Sequence, residues 1–364
     1  MTGMKLRKIP KDTKLVVCLG FPPFADKRFL DRLRALEGVE PVVLPIDADA
    51  DWGGATAHTA HPEPPPWATS VAETRKAVLA RAHVLMTLRT PDRLFERAPN
   101  LSWIQGSGAG VEQFAEAGVD QNKVVLTNCA GVSATAMSEW VIGRLLQIWK
   151  RFRAADEFQH AHRFKRSYGR TFSGSTIGIV GLGHIGRAVA TRARALGCRT
   201  LGLRRSAQRG DESPHVDQLY PANQLHAMLV ECDAVIIAAP ATPETHHLFD
   251  AHALAAIPRH AVLVNVARGS LVDERELARV MTEDPLAAAV LDVFDAEPLD
   301  AQSPLWDIPN VYISAHSSVS LDRYVDDVFD LFHDNLIRFL AGETLHNVVD
   351  MERLGFEPAP TEGE

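Results

Sequence analysis

What the sequence has little of narrows its class first. Only four cysteines occur in 364 residues (Cys18, Cys129, Cys198 and Cys232), scattered and without CxxC spacing. Neither a disulfide framework nor a cysteine metal site is therefore expected, and the thiols read as reduced in a cytoplasmic protein. His246, His247 and His252 have no Cys or His partners at zinc spacing, so no metal is predicted and these histidines read as a surface loop. No apolar run approaches the roughly 20 residues that span a bilayer, and the N-terminal MTGMKLRKIPKDTKL lacks the apolar core and cleavage pattern of an export signal. An excess of positive charge is also missing: 38 Lys and Arg stand against 46 Asp and Glu, a formal charge of −8. That balance disfavours nucleic acid and acidic membranes as partners.

What is present is alternation. In the first part LVVCLG, PVVLP, VLMTLR, SWIQGSG and VVLTN read as strands, separated by helical patterns in FADKRFLDRLRAL and SVAETRKAVLARA. A Pro- and Gly-rich loop over Asp47–Trp67 interrupts them. A long helical pattern, ATAMSEWVIGRLLQIWKRFRAADEF, follows Ser133, and six further strands are predicted: TIGIV, CRTLGL, AVIIAA, AVLVNVA, AAAVLDVF and VYISA. Strands alternating with helices imply an α/β fold with largely parallel, doubly wound sheets, and the length favours two domains. The terminal helical pattern LDRYVDDVFDLFHDNLIRFLAG has no strand after it. It is expected to return to the first domain, giving boundaries of 1–132 with 321–364 for a substrate domain and 133–320 for a dinucleotide-binding domain. The tail FEPAPTEGE reads as disordered.

TIGIV runs straight into Gly181-Leu182-Gly183-His184-Ile185-Gly186 where a helical pattern begins. In that context Gly181 permits the turn, Gly183 lets backbone approach a pyrophosphate and Gly186 lets helix and strand pack closely. The phosphates then face a helix N-terminus. Arg204 stands eighteen residues beyond Gly186, where an acidic residue normally accepts from the adenosine ribose. Arg204, Arg205 and Ser206 instead suit a 2′-phosphate, which favours NADP over NAD; two solvated arginines beside a site that still takes NAD is the alternative.

Ligands in such folds bind beyond the C-terminal ends of strands. Gly106, Gly108 and Gly110 follow a first-domain strand, Arg268 follows LVNVA, Asp292 and Glu297 follow AAAVL, and His316 follows VYISA. Arg268 has the planar fork to hold a 2-oxo acid's carboxylate and polarise its carbonyl. His316 can exchange a proton with the substrate oxygen near neutral pH, and Glu297 on its other nitrogen would fix the tautomer and favour the imidazolium.

The blocks VGLGHIG, APATPETHHLF, VNVARGSLVDERELA, DVFDAEPL and ISAHSS, with GAGVE and TNCAGVSATAMSEW earlier, resemble the signature blocks of the D-isomer-specific 2-hydroxyacid dehydrogenases. Glu139-Trp140 and the Arg204-Arg205-Ser206 run are similar to its glyoxylate/hydroxypyruvate reductase branch, which tends to use NADPH. The resemblance implies Rossmann and flavodoxin-like lobes around an interdomain cleft, a homodimer built on the cofactor domain, and interconversion of a small 2-oxo acid and its 2-hydroxy acid. It implies catalytic roles for Arg268, Glu297 and His316. It also implies cofactor contacts at His184, Ile185, Pro240, Thr245, Ala267 (through its carbonyl) and Asp292, whose carboxylate would meet the nicotinamide amide. The N–H groups around Ala109, Gly110 and Val111 would take the substrate carboxylate. Arg89 is a candidate substrate contact, with a surface role as its alternative.

This chain departs from the family pattern at three places. Ala315 replaces the usual proline before the histidine, Glu112 stands where aspartate is common, and a tryptophan is missing from FKRSYGRTFSG. A non-catalytic, nucleotide-sensing protein of the corepressor type is the alternative function.

Overall fold

The computed structural model describes residues 14–44, 75–91 and 93–356, so the Asp47–Trp67 loop and the tail beyond Phe356 lie outside the described residues. Among the described residues the first sheet holds β1 (Leu15–Leu19), β2 (Val39–Val43), β3 (Val84–Thr87), β4 (Trp103–Gly106) and β5 (Val125–Thr127). The second holds β6 (Thr176–Val180), β7 (Arg199–Arg204), β8 (Gln218–Pro221), β9 (Ala234–Ile237), β10 (Val262–Asn265), β11 (Ala288–Leu291) and β12 (Val311–Ile313). Every pairing within these sheets is parallel. The fold is α/β, and the chain divides into two compact units, one of Met1–Val132 with Leu321–Glu364 and one of Ser133–Ser320.

The first unit has strand order β2-β1-β3-β4-β5, the flavodoxin-like arrangement. The helix Leu321–Ala341 belongs to it because its apolar stripe has nowhere else to go. Val328, Phe329, Phe332 and Leu336 are fully buried, and Phe329 stacks on Phe29 with ring centroids 4.3 Å apart.

The second unit has order β12-β11-β10-β9-β6-β7-β8, a Rossmann sheet from β8 to β11 extended at one end by β12. Its central strands are buried throughout, which is why they read as continuous apolar runs without alternation.

Two sequence expectations are corrected here. The second unit has seven strands, not six: β8, sequence QLYP, is a short edge strand ending in proline, so it lacks the long β-branched run that marks its neighbours. The long helical pattern after Ser133 is two helices, Ala134–Trp149 and Phe152–His160, with Arg151 between them at φ 59°. The Trp149 carbonyl, which a continuing helix would offer to Arg153, accepts instead from the backbone N–H of Arg170 at 2.8 Å. Tertiary hydrogen bonding thus stops a helix whose local sequence would let it run on.

All four cysteines are buried and none forms a disulfide among the described residues, and burial pushes the Cys129 and Cys232 thiols up to about 12. Among the described residues no helix is long and apolar enough to cross a membrane.

Candidate active site

Three adjacent parallel strands, β10, β11 and β12, deliver their C-terminal ends side by side. Parallel register is what makes neighbours of Arg268, Glu297 and His316, which are far apart in sequence. After β10, Asn265 folds the loop with its own side chain, donating to the Arg268 carbonyl at 2.9 Å and accepting from the Ala267 N–H at 3.0 Å. Gly269 then packs so closely on the next loop that a Cβ there would overlap the Phe294 carbonyl carbon and the Asp295 nitrogen. The Arg268 loop and the Glu297 loop are therefore in direct backbone contact, and only glycine permits it.

His316 Nδ1 lies 2.9 Å from Glu297 Oε2. An ionised carboxylate can only accept, so Nδ1 carries the hydrogen and Nε2 is left for chemistry. The other oxygen, Glu297 Oε1, accepts from the Phe294 N–H at 3.0 Å, which fixes the carboxylate plane. This hydrogen bond to Glu297 is the largest influence raising the His316 pKa, with partial burial opposing it. Glu297 in turn is held below the ordinary glutamate value: burial acts against ionisation, but the bonds from His316 and Phe294 outweigh it. Arg268 is near enough to act on both, lowering the pKa of each. Its Nη1 donates to the Ala267 carbonyl at 2.7 Å, the carbonyl expected to contact a cofactor. The imidazole remains half exposed (49 %), so it is reachable.

Asp292 holds the histidine loop. Fully buried at the end of β11, it accepts His316 N–H on its backbone carbonyl at 2.8 Å. Its carboxylate accepts from Ser314 Oγ (2.6 Å), Ser317 N–H (2.9 Å) and Ser318 N–H (3.0 Å). These bonds clamp a loop in which His316 sits at φ 47°, a left-handed conformation that a non-glycine residue adopts only when its surroundings enforce it. Glu274, opening the helix Glu274–Glu283, adds a brace by accepting from the Asp295 N–H at 2.6 Å.

Gly269, Glu274, Ser314, Ser317 and Ser318 carry this framework, yet the sequence reading picked none of them as site residues. Glu274 was traceable as an acidic residue in a helix's first turn behind a capping aspartate. The serine-to-Asp292 pattern had no local signal.

The glycine loop joins β6 to the helix His184–Ala195. Gly181 has φ 98°, and a Cβ there would strike the Ala238–Ala239 backbone; at Gly186 it would overlap the Gly181 carbonyl. Beside Gly183 the space within 4 Å of an added Cβ is open, and no side chain caps the helix that starts there. Strand and helix are thus closely fitted while one peptide stays approachable, which suits a pyrophosphate set against the unspent N–H groups of His184 and Ile185.

Arg204 ends β7 with its Nε buried and without a hydrogen-bond partner among the described residues; Arg205 and Ser206 follow it on the surface. Arg205 lies close enough to Glu244 for its charge to help keep that carboxylate ionised, behind the larger effect of the Thr242 hydroxyl. Arg205 and the Pro240–Thr245 turn are therefore neighbours. Within that turn the Thr245 hydroxyl donates to the Pro240 carbonyl at 2.8 Å and accepts from the Thr242 N–H at 2.8 Å.

In the first unit, Ala109, Gly110 and Val111 follow β4, and Arg89, half-buried, follows β3. The Val111 N–H, an expected substrate donor, is engaged by Glu112 Oε2 at 2.8 Å.

The clamp yields a test. Asp292→Asn removes the charge that organises three donors and should lower the turnover number about 100-fold, the scale of a 1 Å misplacement. Far-ultraviolet circular dichroism should be unchanged. Wild-type turnover in a folded Asn variant would show that the loop holds His316 without it.

A family model described as the NAD binding domain of D-isomer specific 2-hydroxyacid dehydrogenases matches residues 142–318. The glyoxylate reductase of Thermococcus onnurineus is 32% identical over 289 residues, covering 75% of this chain and 85% of that protein. Among solved structures, a D-isomer specific 2-hydroxyacid dehydrogenase family protein from Aeromonas salmonicida superposes with a TM-score of 0.76 at 30% identity, covering 93% of this chain and 99% of that one. An NADPH-dependent glyoxylate/hydroxypyruvate reductase from Sinorhizobium meliloti, solved with NADP and sulfate, gives a TM-score of 0.72 at 26% identity and covers 93% and 98%. With its two α/β units, its glycine loop and these relatives, the chain belongs to the D-isomer-specific 2-hydroxyacid dehydrogenase family and, within it, is similar to the glyoxylate/hydroxypyruvate reductases.

Proposed function

We propose that the chain is an NAD(P)-dependent oxidoreductase that reduces a small 2-oxo acid of the glyoxylate or hydroxypyruvate type to the D-2-hydroxy acid, with NADPH preferred. The observation that carries this reading is the 2.9 Å pairing of His316 with Glu297 beside the Arg268 loop.

Residues Ser133–Ser320 serve as the dinucleotide-binding unit. Gly181, Gly183, His184, Ile185 and Gly186 hold the pyrophosphate, and Pro240, Thr245, Ala267 and Asp292 border the rest of the cofactor. Arg204, Arg205 and Ser206 take a 2′-phosphate, a role supported by the unpartnered Arg204 Nε and by the NADP bound in the Sinorhizobium meliloti protein. When bound, the reduced cofactor supplies a hydride to C2 of the substrate.

The chain's own residues do the rest. Arg268 grips the substrate carboxylate and steadies negative charge developing on the 2-oxo oxygen. His316 delivers a proton to that oxygen from Nε2, and Glu297 keeps the imidazole charged and correctly turned until it does. Ala109, Gly110 and Val111 are assigned to the substrate carboxylate, with Arg89 as a further contact. The corepressor-type alternative finds no support among the relatives.

Two coarser features complete the reading. The protein acts in the cytoplasm, consistent with four cysteines outside any disulfide among the described residues. It works as a homodimer through the dinucleotide-binding unit. There the helix Phe152–His160 buries no residue and Phe152, Phe164 and Tyr168 are exposed, an aromatic surface that a second copy would cover. A monomer in sedimentation equilibrium would contradict the dimer.

Followed at the nicotinamide absorbance with a panel of 2-oxo acids, His316→Gln should lose about 10²- to 10⁴-fold in turnover with cofactor affinity nearly intact. Because Glu297 raises the His316 pKa, reduction by the wild type should persist above the ordinary histidine value and fall as pH rises through the raised one. Glu297→Gln should move that fall to lower pH. Wild-type-like turnover in His316→Gln removes the assignment, and equal or better use of NADH removes the cofactor preference.

A further inference from the structure

The loop after β4 is pinned from behind. The Gly108 carbonyl accepts from the Cys129 N–H at 2.8 Å, the Ala109 carbonyl from Asn128 Nδ2 at 2.7 Å, and the Gly110 carbonyl from Gln113 Nε2 at 3.3 Å. In a trans peptide the N–H points opposite its own carbonyl. Fixing three successive carbonyls therefore fixes the three N–H groups that follow them, those of Ala109, Gly110 and Val111, on the opposite sides of their peptides. These pinned peptides, and not the five-residue helix Glu112–Glu116 that follows, set the donors. The Val111 N–H is already taken by Glu112 Oε2 at 2.8 Å, while nothing among the described residues accepts from Ala109 or Gly110. The same loop carries Ser107, 1 % exposed, whose hydroxyl also has no partner among the described residues.

We propose that Glu112 is a built-in competitor for the substrate carboxylate and so a specificity-determining residue. Its own carboxylate occupies one of the three donors that the loop offers an anion. This inference rests on the reading above, in which that loop receives the carboxylate of a 2-oxo acid. A substrate must displace Glu112 from the Val111 N–H or bind on the two remaining donors beside a like charge. Either route weakens ground-state binding, because hydrogen bonds to an ionised acceptor are the strong ones and like charges repel at this range. The chain is thereby set to work at high concentrations of its oxo acid. Glutamate at position 112, in place of the aspartate common in the family, is the feature of this sequence that supplies the reaching carboxylate.

The test compares wild type, Glu112→Gln and Glu112→Ala in two measurements: KM for glyoxylate at saturating NADPH, and the dissociation constant of oxamate, an unreactive isostere, in the presence of NADPH. Removing the carboxylate in Glu112→Ala should lower both about five- to tenfold, in keeping with one charge-assisted hydrogen bond set free. Glu112→Gln keeps an acceptor without the charge and should fall between. Should the alanine variant not fold, the glutamine variant carries the comparison with wild type. Values unchanged or raised in the folded variants, with the wild type active, overturn the role of Glu112 alone. A wild type that reduces no 2-oxo acid removes the substrate reading and this inference with it.

Discussion

The 2.9 Å contact between the His316 imidazole and the Glu297 carboxylate is the constraint on which the rest of the site depends. A histidine at the end of a strand is half solvated and titrates near its ordinary value unless something specific acts on it. Here one carboxylate does three things. It fixes which nitrogen carries hydrogen, stops the ring from turning, and raises the imidazole's pKa in favour of the charged form. Those services require that Glu297 be immobile, and the neighbouring loops provide this. Glu297 is tied to the Phe294 N–H, the Asp295 N–H is tied to Glu274, and the peptide between them presses on Gly269 beside Arg268. His316 is immobilised independently by Asp292 through four hydrogen bonds to residues 314–318. Two rigid loops meeting at one hydrogen bond give the geometry its definition, and Arg268 is placed by the same backbone contact.

Parallel topology is the reason such a site can be assembled from short loops. Strands β10, β11 and β12 lie side by side, so the segment leaving each one enters the same region at the same edge of the sheet. Each loop then needs only to aim one side chain. The costs are local: a left-handed histidine, a glycine without room for a Cβ, and a fully buried aspartate side chain. Each is offset by specific bonds.

Much of this was legible in the sequence, for identifiable reasons. Central parallel strands are covered on both faces and therefore appear as apolar runs, so β6 is read to the residue, while the readings of β9, β10 and β11 begin within one residue of the strands and overrun their C-terminal ends by two or three. The glycine spacing and the residues at strand ends carried the site. Features that depend on partners distant in the chain were not legible. Edge strand β8 is only four residues long and ends in proline, too short to leave a pattern, and the helix break at Arg151 is made by Arg170 arriving from elsewhere. Asp292 was readable as a residue at a strand end, but its hold on Ser314, Ser317 and Ser318 exists only once β12 lies beside β11. The Val111 N–H looked like a free donor because only the folded loop brings the Glu112 side chain back onto it.

The central claim is that Glu297 makes His316 a proton donor of raised pKa with hydrogen fixed on Nδ1. The most direct measurement is a nitrogen-15 NMR titration of the His316 ring in the resting protein, assigned by comparison with a variant lacking it. The account predicts a midpoint above the ordinary value of about 6.5, with the neutral form carrying its hydrogen on Nδ1. A midpoint at or below the ordinary value, or a neutral ring protonated on Nε2, would contradict it.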